Sequence, residues 1–140
     1  MRAVFVLCRL ALGVVFVYAG ALKMADAQGF AQSVYNYQLL PASFVYGAAM
    51  LLPAVEVVCG LALCAGFAAR GASIILNALM VCFMAALGVA AARGLNVDCG
   101  CFGQASQGTV SEALVRDAVI LAVGLVATWG AFATDRDDEV

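Results

Sequence analysis

Histidine is absent from this 140-residue sequence, and charge is scarce: 11% of residues are charged against 66% hydrophobic. Without imidazole there is no haem ligation by His, no His-containing zinc site and no mechanism with His as general base. Basic residues number seven against nine acidic ones and form no cluster, which excludes nucleic acid as a partner. Soluble domains run at about 45–50% apolar and about 25% charged. A fold of this length has no means of hiding so much apolar surface from water. What remains is a membrane protein, with lipid as its solvent.

A bilayer core about 30 Å thick takes about 20 apolar residues per helix. Four segments reach that length: 4–22, interrupted by Arg9; 43–68, containing Pro53 and Glu56; 72–92; and 113–133. Two long connections flank a very short turn at 66–71, so the second and third spans should form a tight hairpin. Backbone polar groups in lipid must be satisfied within helices. The expected fold is therefore an all-α, four-helix transmembrane antiparallel bundle, one domain over 1–140, with a cysteine-bearing loop between helices 3 and 4. Arg2, the first apolar run and Ala19-Gly20-Ala21 also mimic a signal peptide, but Arg9 breaks the run and its length suits a span, so a retained helix is expected. With both termini on one side, that side carries Arg2, Arg70 and Arg136 against Lys23 and Arg93. The bias favours cytoplasmic termini in a bacterial inner membrane, with both long connections in the oxidising periplasm.

The most informative stretch is Asn96-Val97-Asp98-Cys99-Gly100-Cys101-Phe102-Gly103-Gln104, in the second long connection. Cysteines two positions apart lie within or just beyond disulfide reach, and the ring they close is small and strained. Gly100 is the residue type that takes the dihedrals such a ring demands. Strain raises the reduction potential, which makes the bond labile and suits exchange with a partner thiol; Asp98 opposes this, because its charge disfavours the attacking thiolate. A two-thiolate metal site, a structural disulfide that ties the loop, and two unpaired thiols without chemistry, which an oxidising compartment disfavours, are the alternatives. Against a metal, the loop offers neither His nor a third Cys. Cys59 and Cys82 fall near mid-membrane, where cysteine packs as a small buried apolar residue. Cys59 and Cys64 point apart on one helix, whereas Cys8 and Cys64 both fall near the inner helix ends, within approach of each other.

Arg9, Glu56, Arg116 and Asp117 lie inside or at the edges of spans, and Lys23 closes the first. Intramembrane charges cost several kcal/mol unless they face the interior and pair, and they tend to mark function. An Arg9–Glu56 pair suits neighbouring first and second spans. Lys23, Arg116 and Asp117 would cluster beneath the cysteine loop, where they supply charge or protons to thiol chemistry; a purely structural polar network, with Asn77 in it, is the competing reading.

These residues carry a resemblance. Arg9-x3-Gly13-x6-Gly20-x2-Lys23, Phe30, Asn36-Tyr37-Gln38-Leu39-Leu40-Pro41, Pro53-x2-Glu56-x3-Gly60, Asp98-Cys99-Gly100-Cys101-Phe102-Gly103 and Arg116-Asp117 together resemble the MauE/DoxX group of small membrane proteins, and MauE more closely. The resemblance implies a four-helix membrane protein in redox chemistry: disulfide formation in maturing methylamine dehydrogenase beside a thioredoxin-like periplasmic partner, or coupling to quinone as in DoxX relatives. It makes Cys99 and Cys101 the redox pair and Arg9, Glu56, Arg116 and Asp117 the buried polar residues. No second pair of loop cysteines and no quinone-binding signature accompany them. The function expected is thiol–disulfide exchange between Cys99–Cys101 and a periplasmic thioredoxin-like or client protein. The rivals are a non-enzymatic assembly factor and a small-molecule carrier that uses the buried charges.

Overall fold

The computed structural model describes residues 1–95 and 109–138, with side chains described as far as Ala133. Among these residues all regular structure is helical: α1 (Arg2–Ala25), α2 (Ala27–Asn36), α3 (Ala42–Ala65), α4 (Ala69–Ala92) and α5 (Val110–Asp138). Helices α1, α3 and α4 are each 24 residues long and apolar enough to cross a membrane. At 1.5 Å per residue each is about 36 Å long, enough to exceed a bilayer core of about 30 Å. Helix α5 is uncharged from Ala118 to Thr134 but carries Glu112, Arg116 and Asp117 in its first turns.

The helix boundaries differ from the expected spans where turn chemistry overrides hydropathy. The second apolar segment does not continue to residue 68. Gly66 turns left-handed (φ 77°), and the Gly66 and Phe67 N–H groups donate to the Leu63 and Ala62 carbonyls, which caps α3. Ala68 also has positive φ (48°), and α4 starts directly after it. A second difference is α2, which lies in what reads as a long connection. Asp26 caps it: its carboxylate accepts the Gly29 N–H at 3.0 Å. Its inward residues Phe30, Ala31 and Val34 pack on Val45 and Ala49 of α3.

Helix α1 packs most extensively on α3. Helix α5 packs on α1 and α4, α4 also on α3, and α2 lies on α3 and the edge of α1. The α1–α3 seam is close because its contact residues are small. A Cβ added to Gly13 would sit 2.8 Å from the Gly60 carbonyl oxygen, and one added to Gly20 would sit 2.9 Å from that of Pro53. As residue number rises along α1 it falls along α3, so the two run antiparallel. The same follows for α4 and α5, since Leu87 packs with Ala113 while Asn77 bonds Thr128. Helices α1 and α4 therefore end where α3 and α5 begin, and the α4–α5 connection leaves from that end. At the other end Phe5 of α1 lies against Gly130 of α5.

The inward stripes follow helical spacing. Leu12, Gly13, Phe16, Ala19, Gly20 and Lys23 are buried on α1; Pro53, Glu56, Cys59, Gly60 and Leu63 lie among those buried on α3. Leu12, Phe16, Leu63, Leu76 and Met80 are central members of an apolar core between these helices.

Candidate functional site

Two of these stripes carry a charge in place of an apolar residue. Lys23 is three positions after Gly20 on α1, and Glu56 three after Pro53 on α3, so helical spacing aims both inward. They are 2% and 1% exposed. The Lys23 ammonium donates to both carboxylate oxygens of Glu56, at 2.7 Å to Oε1 and 2.9 Å to Oε2. Two aromatic rings complete its surroundings: Nζ lies 5.2 Å from the ring centre of Phe30 on α2 and 4.7 Å from that of Phe83 on α4. The two rings are 6.5 Å apart and inclined at 58°. Four helices thus converge on one ammonium. The arrangement offsets the desolvation of both ions, since the pair is bidentate and the ring faces present negative quadrupole to the cation.

A second charged pair lies on α5. Asp117 is fully buried, on an inward stripe with Ala113, Gly124 and Ala127. Its Oδ1 accepts from Arg116 Nε at 3.2 Å and Nη2 at 3.1 Å, and the Arg116 side chain remains 34% exposed. Tyr37, Leu87, Ala90 and Ala113 form a small cluster one turn nearer the α4–α5 connection.

The charges therefore combine differently from the sequence expectation. Glu56 pairs with Lys23, not with Arg9. The α1–α3 register explains this, because it sets Arg9 at the far end of α3, with its guanidinium beside Gly66. Arg9 Nε is buried and has no hydrogen-bond partner among the described residues. Among the described residues Lys23 bonds to Glu56 and Arg116 to its own neighbour Asp117, so Lys23 does not join the α5 charges in the expected Lys23, Arg116 and Asp117 cluster. Asn77 joins neither: its amide donates to Thr128 Oγ1 at 2.7 Å, and that hydroxyl donates to the Gly124 carbonyl at 2.8 Å, which ties α4 to α5.

Asp98, Cys99 and Cys101 lie outside the described residues. Of the other cysteines, Cys8, Cys59, Cys64 and Cys82 are all free thiols. Cys59 is buried in the core, as its position suggests. Cys82 is not: it is exposed on the outer face of α4, because the inward stripe there runs through Leu76, Met80 and Leu87. Cys64 lies against Gly13, in the α1–α3 seam. Among the described residues no group of three or more Cys, Asp or Glu is placed to hold a metal ion.

Sequence reasoning missed Phe83 as part of this site. The only signal was its position three residues after Met80 on the inward stripe, and an aromatic there reads as core. That it faces an ammonium depends on where α1 ends relative to α4.

The comparisons with known proteins agree with this architecture in extent. The family model of methylamine utilisation protein MauE matches residues 1–130, which takes in α1 to α4 and most of α5. Over 124 residues the chain is 33% identical to the methylamine utilization protein MauE of Paracoccus denitrificans, covering 87% of this chain and 67% of that one. No solved structure matches. A membrane protein on these grounds, the chain belongs to the MauE family of methylamine utilisation proteins.

Proposed function

We propose that this protein is an integral membrane thiol–disulfide redox protein serving methylamine utilisation, with Cys99 and Cys101 as the exchanging pair. The observation that carries the reading is the Cys99-Gly100-Cys101 spacing in the sequence between α4 and α5. In the exchange, one thiolate attacks a partner's disulfide to form a mixed disulfide and releases the partner's other sulfur as thiolate. The second cysteine then attacks the mixed disulfide, which leaves Cys99–Cys101 oxidised and the partner reduced; the reverse sequence oxidises the partner. The partner is a periplasmic thioredoxin-like or client protein.

In this reading α1, α3, α4 and α5 are four antiparallel spans of a single domain in the bacterial inner membrane. Both termini are cytoplasmic and the cysteine connection is periplasmic, in keeping with the basic-residue bias. Lys23, Glu56, Arg116 and Asp117 lie toward the end from which that connection leaves, and Arg9 at the end opposite. Asp98 borders the pair and tempers its thiolate.

The test is thiol trapping in cells grown on methylamine. The variants Cys99→Ser and Cys101→Ser each leave one thiol, and one of them should accumulate a reductant-sensitive adduct with a periplasmic protein. The double variant should lose growth on methylamine. Growth undiminished in the double variant, with no adduct from either single one, would replace exchange with the assembly-factor reading.

A further inference from the structure

Lys23 is the sole lysine of the chain, and it ends up almost wholly buried two residues before α1 stops. Beyond that point α1 supplies no cover. What closes over the ammonium is α2, through Phe30, itself 3% exposed, with Ala31 and Val34 beside it. This short helix is attached in a particular way. Its packing is chiefly on α3. It is set off from α1 by Asp26 (φ −123°, ψ 65°), where the helical path breaks, and from α3 by Gln38, which has positive φ (53°), and then by Pro41. Non-glycine residues reach that left-handed region at a cost, and the chain turns sharply out of α2 at Gln38. An open groove of about 550 Å³, lined by Gln28, Ala31, Gln32 and Tyr35 of α2 and by Val45 and Tyr46 of α3 among others, runs along the outer edge of this packed contact.

A buried ion pair, a short helix that supplies one of its two ring contacts, a break in the helical path at each end of that helix and a groove along its outer edge occur together. We infer that α2 is a hinged cover over the Lys23–Glu56 pair. It swings about Asp26 and Gln38, lifts Phe30 from the ammonium and admits water to a pair that is otherwise sealed. Opening faces the end of the molecule from which the α4–α5 connection leaves, so the hydrated pair becomes available for proton exchange on the side where the proposed thiol chemistry takes place. That use rests on the thiol–disulfide reading; the gating does not.

A single buried lysine makes the opening measurable. The purified full-length protein in lipid nanodiscs is treated with the water-soluble acylating reagent N-hydroxysulfosuccinimidyl acetate at fixed pH. Acetylation of Lys23 is followed by mass spectrometry, with the exposed α-amino group of Met1 as internal reference. If α2 opens locally, Val34→Ala should speed Lys23 acetylation by about tenfold, since it weakens the packing of α2 on α3 while the Phe30 ring stays in place. Asp26→Ala changes an exposed cap and should speed it by about fivefold. Hydrogen exchange should rise in residues 27–36 and stay unchanged in the centres of α1, α3 and α4.

The inference is overturned if neither variant changes the Lys23 rate relative to Met1, or if exchange rises equally in all helices, which would mean that the lysine reacts through general unfolding. No step in the experiment uses Cys99 or Cys101. Failure here therefore leaves the thiol reading standing, and failure of the trapping experiment leaves the gate standing.

Discussion

Lys23 and Arg9 stand on the same helix, on nearly the same face, and the protein treats them in opposite ways. Lys23 is sealed in the interior with both oxygens of Glu56 and two ring faces around its ammonium. Arg9 lies at the cytoplasmic end of the proposed topology, only partly buried, with its guanidinium beside the α3 turn and its Nε unpaired. The difference lies in what surrounds each charge. Where an ion is fully desolvated the fold supplies a counter-ion. Where the side chain is only partly buried, no counter-ion from the described residues pairs with it.

The hardest test of this contrast is Glu56→Gln. It strands a buried ammonium and should cost about 3–5 kcal/mol, read as a large loss of thermal stability or of folded yield in detergent. The joint replacement Lys23→Met with Glu56→Leu should recover most of that loss, because the desolvation of both ions disappears with the charges. Equal damage from the double variant would show that the pair contributes more than its own neutralisation. Glu112→Gln is a useful mild control, although it is not silent: Glu112 Oε2 accepts the Thr109 N–H at 3.0 Å at the start of α5, a capping contact worth about 1 kcal/mol.

Next in size is the seam that sets the register between α1 and α3. Gly20→Ala would place a methyl 2.7 Å from Val57 Cγ2 and 2.9 Å from the Pro53 carbonyl oxygen, in a contact that includes backbone. A cost of about 1–3 kcal/mol is expected, with a weakened Lys23–Glu56 pair one turn further on. Gly47→Ala, on the same α3 helix but with nothing within 4 Å, should instead stabilise by about 0.5–1 kcal/mol through helix propensity. Melting the two variants side by side in detergent checks both signs at once. The smallest effect belongs to Arg9→Met, which should change stability by less than about 1 kcal/mol, since it removes a charge without breaking a hydrogen bond. A loss on the scale of Glu56→Gln would show that Arg9 has a partner of equal weight.

Some of this is legible in the order of residues alone. The inward placement of Lys23 and Glu56 follows from spacing, since each stands three residues after a buried small or kink-forming position on its own helix. The boundary at Gly66 and the cap at Asp26 also have local signals, and reading the connection after α1 by hydropathy alone hides a short amphipathic helix with its own N-cap. Which charge meets which is not legible. Helix α1 carries three basic residues, Arg2, Arg9 and Lys23, and which of them Glu56 meets depends on the antiparallel offset that Gly13, Gly20 and Gly60 allow. The outward position of Cys82 has the same origin: it falls between stripe residues, so its exposure depends on which face of α4 meets α3 and α5.

The amino-acid sequence by itself determined that the chain is a helical membrane protein, where its apolar runs lie, which residues on each helix share a face, and that two cysteines stand one glycine apart between the last two helices. These are consequences of composition, of the 3.6-residue period and of the chain's own order. Only the tertiary structure decided that Lys23 takes Glu56, that Phe30 and Phe83 from two further helices close on the ammonium, and that Arg9 lies beside the turn at Gly66 instead. Those outcomes depend on helix offsets of a single turn, and such offsets are set by how closely backbones approach at small residues across a seam, a long-range property that no local window contains.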